Sequence, residues 1–126
     1  MATGLFDCVA HPDLFCNGCT RFDAECAAVS RAICDAAADL DLPLEYNLLG
    51  VQYHARDPRS GRLGYPCREF WEIAAQRGVR AIIGLDAHQP EQIDRRDLFD
   101  AAKETLDALG IQVLEHLPGE GLYREA

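Results

Sequence analysis

The rhythm of apolar and polar positions changes period several times along this chain, and each change predicts an element. Phe6 to His11, Leu44 to Leu48 and Arg80 to Leu85 are short, mainly apolar runs bounded by Pro, Gly or Asp, and they read as strands. Helical period separates them. From Asp23 to Leu40, apolar residues recur at Ala28, Val29, Ala32, Ile33, Ala36 and Ala37, the stripe of an amphipathic helix. Asp23 suits its N-cap, and Pro43 lies beyond its end. Arg68 to Arg77 predicts a second helix with Phe70, Ile73 and Ala74 inward and Gly78 just past its end. Gln89-Pro90 starts a helical turn, and Asp97 caps a third helix reaching Leu109, with Leu98, Ala102 and Leu106 inward. Gly110 closes it, and Ile111 to Leu114 is a last candidate strand.

Two segments read as loops. His11 to Phe22 holds Pro12, Asn17, Gly18 and Thr20, while Gly50 to Pro66 holds Pro58, Gly61 and Gly64. A loop as long as the second usually serves as a lid or binding segment. The residues after Pro118 are rich in glycine and charge and are expected to fray.

Strands alternating with helices specify an α/β protein with a parallel sheet. So few βα units cannot close a barrel with a filled interior, which takes about eight strands. The alternatives are a small open sheet and part of a barrel. At 126 residues the chain is expected to form a single domain with a modest core.

Charge and cysteine content narrow the function classes. The net charge is −9, from 21 acidic and 12 basic residues, opposite to the footprint of a nucleic-acid binder. No apolar run approaches the roughly 18 residues of a membrane span. The first residues lack the basic and long apolar regions of a signal peptide, so the expectation is a cytoplasmic protein without a membrane partner. The six cysteines then read as reduced, largely buried thiols rather than a disulfide framework. Cys16-Asn-Gly-Cys19 alone has ligand or redox spacing. With no second such pair to complete a zinc site, incidental thiols in a loop are the preferred reading.

The candidate chemistry lies where strands end, the position at which parallel α/β proteins place their ligands and catalytic groups. His11 closes the first run, and Asp86 and His88 follow the third. Residues two apart in an extended segment point the same way, so Asp86 and His88 can address one ion. A buried, uncompensated carboxylate costs roughly several kcal/mol, which makes Asp86 a poor core residue and a good ligand. His11, Asp86 and His88 are therefore the candidate metal ligands, and Asp86 and His88 the candidate catalytic pair. Glu45 and Asn47 share a strand face, either to orient a ligand or bound water, or as a polar barrel interior or a buried Glu–Arg pair. With Asp13 they form the set expected behind the ligands or in a substrate pocket. His54 and His116 read as solvent-exposed, and Tyr53, Arg56, Arg59 and Arg62 either meet an anionic substrate or belong to a solvated loop.

Four segments together carry a resemblance: Phe6-Asp-Cys-Val-Ala-His-Pro-Asp-Leu-Phe15, Leu44-Glu-Tyr-Asn-Leu-Leu-Gly50, Tyr65-Pro-Cys-Arg-Glu-Phe-Trp71 and Gly84-Leu-Asp-Ala-His88. In order and spacing they resemble the second half of the polymerase-and-histidinol-phosphatase (PHP) superfamily, in particular its histidinol-phosphatase-like branch. The resemblance implies part of a distorted (β/α)7 TIM-like barrel, divalent metals (Zn, Mn or Fe) at its carboxyl face, and hydrolysis of phosphate esters by a metal-bound hydroxide. It implies metal-ligand roles for His11, Asp86 and His88, and a small phosphorylated substrate. The departures matter as much. No His-x-His motif is present, Leu85 replaces the usual small residue before Asp-Ala-His, and Gln52 lies near where a phosphate-binding arginine often follows. The expectation is a partial PHP-like domain over residues 1–126, completed by a homo-oligomer, most simply a dimer. The competing expectation is a catalytically inactive metal- or anion-binding remnant that serves as an interaction or regulatory module.

Overall fold

The computed structural model describes residues 1–118, apart from the side chains of residues 55 and 56. Strands β1 (Leu44–Asn47), β2 (Ala81–Gly84) and β3 (Val113–Leu114) form a parallel sheet in the order β1-β2-β3. Helices α1 (Ala24–Asp39), α2 (Leu48–Arg56), α3 (Arg68–Gln76) and α4 (Arg96–Ala108) supply the connections, with 3-10 turns at Leu14–Gly18 and Pro90–Gln92. The α/β class and the parallel βα units expected from the sequence are present. The fraying expected after Pro118 falls on residues 119–126, which lie outside the described residues.

In β1 and β2, register pairs Leu44 with Ala81 and Asn47 with Gly84, so Leu44, Tyr46, Ala81 and Ile83 share one face. That face is the core. Leu44 and Ala81 cluster with Cys34 and Ala37 of α1, Phe70, Trp71 and Ala74 of α3, and Leu106 of α4. Trp71 stands at its centre, 5.1 Å from the Tyr46 ring and 5.7 Å from Phe70. The opposite face of the sheet carries Glu45, Asn47, Ile82 and Gly84. An open doubly wound sheet covers both faces with helices, whereas here α1, α3 and α4 all pack into the cluster on one side.

Several expectations need correction. Phe6 to His11 is not a strand: only Val9 pairs, as an isolated parallel bridge to Leu44, while Leu5 is 81% and Phe6 57% exposed. Val9 donates to the Pro43 carbonyl and accepts from the Glu45 N–H, but among the described residues no strand pairs with the outer side of the run to hold more of it. The segment from Gly50 is loop only in its second part, because α2 continues straight from β1 to Arg56, and residues 57–66 have no helix or strand. Asn47 caps that helix by accepting from the Gly50 N–H at 2.9 Å. On α1 the buried stripe is Cys26, Ser30, Cys34 and Ala37, rotated from the predicted one, and Val29 is 41% exposed. Ser30 is tolerated there because its hydroxyl donates to the Cys26 carbonyl at 2.7 Å. The cap of α4 is Arg95 rather than Asp97, whose carboxylate instead holds the Arg95 guanidinium.

Gly50 is in α2 for lack of a side chain. A Cβ there would collide with the Tyr65 carbonyl oxygen and ring. Gly50→Ala is expected to destabilise the protein by about 1–3 kcal/mol through overpacking, while Gly18→Ala, where nothing lies within 4 Å, stays near wild type in urea denaturation.

Candidate functional site

The polar face of the sheet leads to a continuous chain of side chains at the carboxyl ends of β1 and β2. Glu45 Oε2 accepts from the His11 backbone N–H at 2.8 Å and from Asn47 Nδ2 at 3.2 Å. The same Nδ2 donates to Asp86 Oδ2 at 3.0 Å. Asn47, fully buried, thus bridges two carboxylates with its amide nitrogen while its oxygen caps α2. A neutral donor between two acidic groups offsets their mutual repulsion without adding net charge. Gly84, opposite Asn47, leaves the room Glu45 needs, since a Cβ there would run into the Glu45 carboxylate.

The residues flanking this chain are conformationally strained. His11 has φ 27° and Asp86 φ 47°, both in the left-handed region that side chains avoid. Such strain persists only where surrounding contacts over-determine it, and it concentrates at binding and catalytic positions. At Asp86 the constraints are visible: the carboxylate is held by Asn47, and the carbonyl lies 2.7 Å from His88 Nδ1. A carbonyl only accepts, so Nδ1 carries a proton, which in the neutral imidazole leaves the lone pair to Nε2, on a side chain that is 62% exposed. Gln92 fixes the turn beyond by accepting from the His88 and Gln89 N–H groups at 2.7 and 2.9 Å.

Asp13 lies differently from Glu45 and Asn47. It is buried with one carboxylate oxygen accepting from the Cys67 N–H at 2.7 Å and from Trp71 Nε1 at 3.0 Å. The other oxygen has no hydrogen-bond partner among the described residues. Burial pushes its pKa up to about 6 against the opposing effect of those donors and of His11. Asp13 ties the segment after His11 to the start of α3.

The structure also brings to the site a residue that the sequence offered only as part of the resemblance, with no role. Tyr65, joined to Pro66 by a cis peptide bond, stands edge-on to the His11 ring at 6.3 Å between centroids. Burial, followed by the charge of Asp86, raises its hydroxyl above the ordinary tyrosine value. Tyr65 also walls a cavity of about 530 Å³ whose lining includes Asn17, Tyr53, His54, Asp57 and Arg62. Of the loop residues considered for an anionic substrate, Tyr53 and Arg62 therefore face this cavity, and the exposed Arg59 is not in its lining. The Arg56 side chain lies outside the described residues. His54, exposed as expected, is in the lining too, and His116 is exposed. No sequence period marks Tyr65, since a turn rather than a helix or strand presents it.

Asp86 and His88 meet, and Asn47 and Glu45 link Asp86 to the His11 backbone. The donor types suit a divalent cation. As the side chains stand, however, no group of three His, Cys, Asp or Glu among the described residues is disposed to hold one. The residues described do not by themselves make a complete metal site.

Comparison with known proteins adds one relation. The chain is 32% identical over 108 residues, 86% of its length, to a probable histidinol-phosphatase of Deinococcus radiodurans. It spans 38% of that relative's length. No family model matches the chain, and no solved structure matches it. Among the described residues, no helix is long and apolar enough to cross a membrane.

Proposed function

We propose that this chain is a phosphoesterase-like protein of the PHP type, carrying part of a barrel wall and part of a metal-assisted hydrolytic site. The similarity to a probable histidinol-phosphatase carries the reading. The one-sided packing of helices on a parallel sheet supports a barrel segment, because a barrel turns the other face inward. The Glu45–Asn47–Asp86 chain at the carboxyl ends of the strands supports a site on that inner face. His11, Asp86 and His88 are the residues that would contribute donors to a divalent ion (Zn, Mn or Fe), with His88 offering Nε2 because Nδ1 is taken. A bound cation would supply positive charge to the phosphoryl group of a small phosphate ester. The remaining donors come from a second copy of the chain or from another subunit, in a dimer that covers the polar face.

Release of inorganic phosphate from an aryl phosphate, measured with and without added Mn²⁺, tests this reading. Metal-dependent turnover that falls at least about 100-fold in Asp86→Asn is expected. Light scattering should give the mass of a dimer. A monomer with no metal-dependent turnover favours the second reading, an inactive metal- or anion-binding module, which the incomplete donor set supports.

A further inference from the structure

The Cys16-x-x-Cys19 spacing does not describe how the thiols meet. Cys16 turns inward, it and Cys67 both essentially unexposed, and the interaction between the two thiols raises that of Cys16 and lowers that of Cys67. Cys19 instead turns to the start of α1, where its sulfur lies 3.4 Å from Cys26 Sγ. Each sulfur also faces a carbonyl, Cys19 that of Phe15 at 3.6 Å and Cys26 that of Arg21 at 3.9 Å. Cys19 is half-buried and Cys26 is 7% exposed. A small oxidant therefore reaches Cys19 first, with Cys26 already in contact behind it.

We propose that Cys19 and Cys26 form a redox modification site, which a peroxide converts reversibly to a disulfide that fixes one wall of the cavity beside Tyr65. The Cys19 thiolate attacks one peroxide oxygen, the O–O bond breaks, and the other oxygen leaves as water, giving a sulfenic acid on Cys19. The Cys26 sulfur gives up its proton and attacks the Cys19 sulfur, forming the S–S bond, while the sulfenic oxygen leaves as a second water. Two thiols are oxidised and one hydrogen peroxide is reduced. An added dithiol reverses the change by exchange.

The connection to the cavity lies in the backbone. The Cys19 carbonyl accepts from the Leu63 N–H at 2.9 Å, and the Asn17 carbonyl accepts from Arg62 Nη1 at 3.2 Å. Asn17 and Arg62 line the cavity. Residues 17–19 thus join the 62–63 segment to the Cys19 side chain, and a bond from Cys19 to Cys26 anchors that assembly to the capped first turn of α1. The other thiols are poor competitors. Cys16, Cys34 and Cys67 are at most 2% exposed, burial holds Cys34 up at about 12, and Cys8 has no sulfur partner among the described residues.

The test treats the full chain with hydrogen peroxide under native conditions, then maps tryptic peptides by mass spectrometry before and after dithiothreitol. Expected is the loss of two of the six free thiols, a reducible link between Met1–Arg21 and Phe22–Arg31 with fragments assigning it to Cys19 and Cys26, and its loss in Cys26→Ser. Amide exchange at Leu63 should slow about tenfold on oxidation, because local opening there is coupled to the new bond. A link between Cys16 and Cys19 or between Cys16 and Cys67, irreversible oxidation without a link, or a Cys19–Cys26 disulfide that leaves Leu63 exchange unchanged overturns the proposal.

Discussion

Asp13→Ala is expected to destabilise the protein by about 4 kcal/mol, because it strands two buried donors. The Cys67 N–H and Trp71 Nε1 both end on one Asp13 oxygen, in a pocket where all three residues are at most 2% exposed. A buried N–H without an acceptor costs the full desolvation of that group, about 1–3 kcal/mol each. The loss also propagates, since Cys67 caps α3 and Trp71 is the ring around which the core is arranged. Asp13→Asn keeps an accepting oxygen but gives up the charge and turns the second carboxylate oxygen into an amide donor, so its cost should be smaller, about 1–2 kcal/mol. Urea denaturation followed by Trp71 fluorescence checks both. Equal losses in the two variants would show that Asp13 does not act as acceptor for this pair.

Asn47→Asp is expected to be comparably severe and to depend on pH. In the native protein the Asn47 amide donates to both Glu45 and Asp86. An aspartate there still accepts from the Gly50 N–H, so the cap of α2 survives, but it places a third carboxylate between two others. Like charges at hydrogen-bond distance raise one another's folded-state pKa values. A carboxylate with a raised folded pKa is stabilising when protonated and loses that contribution as pH rises through the folded value. The variant should therefore lose about 3 kcal/mol at pH 7.5 and recover part of it on acidification toward pH 5, relative to wild type at each pH. Stability that stays unchanged relative to wild type across that range would mean the two carboxylates do not converge on residue 47.

The helices were the legible part of this fold. Asp23 announces α1 by its cap, and Gly78 and Gly110 mark helix ends through positive φ, at 67° and 75°. The first run was misleading because apolar character alone does not make a strand, and Phe6 has no neighbouring strand to pair with among the described residues. Gly50 and the prolines after it suggested a loop, whereas Asn47 caps a helix whose glycine is required by the approach of Tyr65. In the site, period two correctly put Glu45 and Asn47 on one face. Their link to Asp86 follows from strand pairing between β1 and β2, which no single segment reveals. The thiol contacts are hidden from the sequence for the same reason: Cys16 and Cys19 are near in sequence, but the 3-10 turn sends them to different partners.

Metal content tests the central claim most directly. After loading with Mn²⁺ or Zn²⁺ and dialysis, elemental analysis should find about one divalent ion per chain or more, with the content lost in Asp86→Ala and His88→Ala. Protein that retains no metal, or variants that bind as much as wild type, would contradict the assignment of the strand-end cluster to a metal-assisted phosphoesterase site.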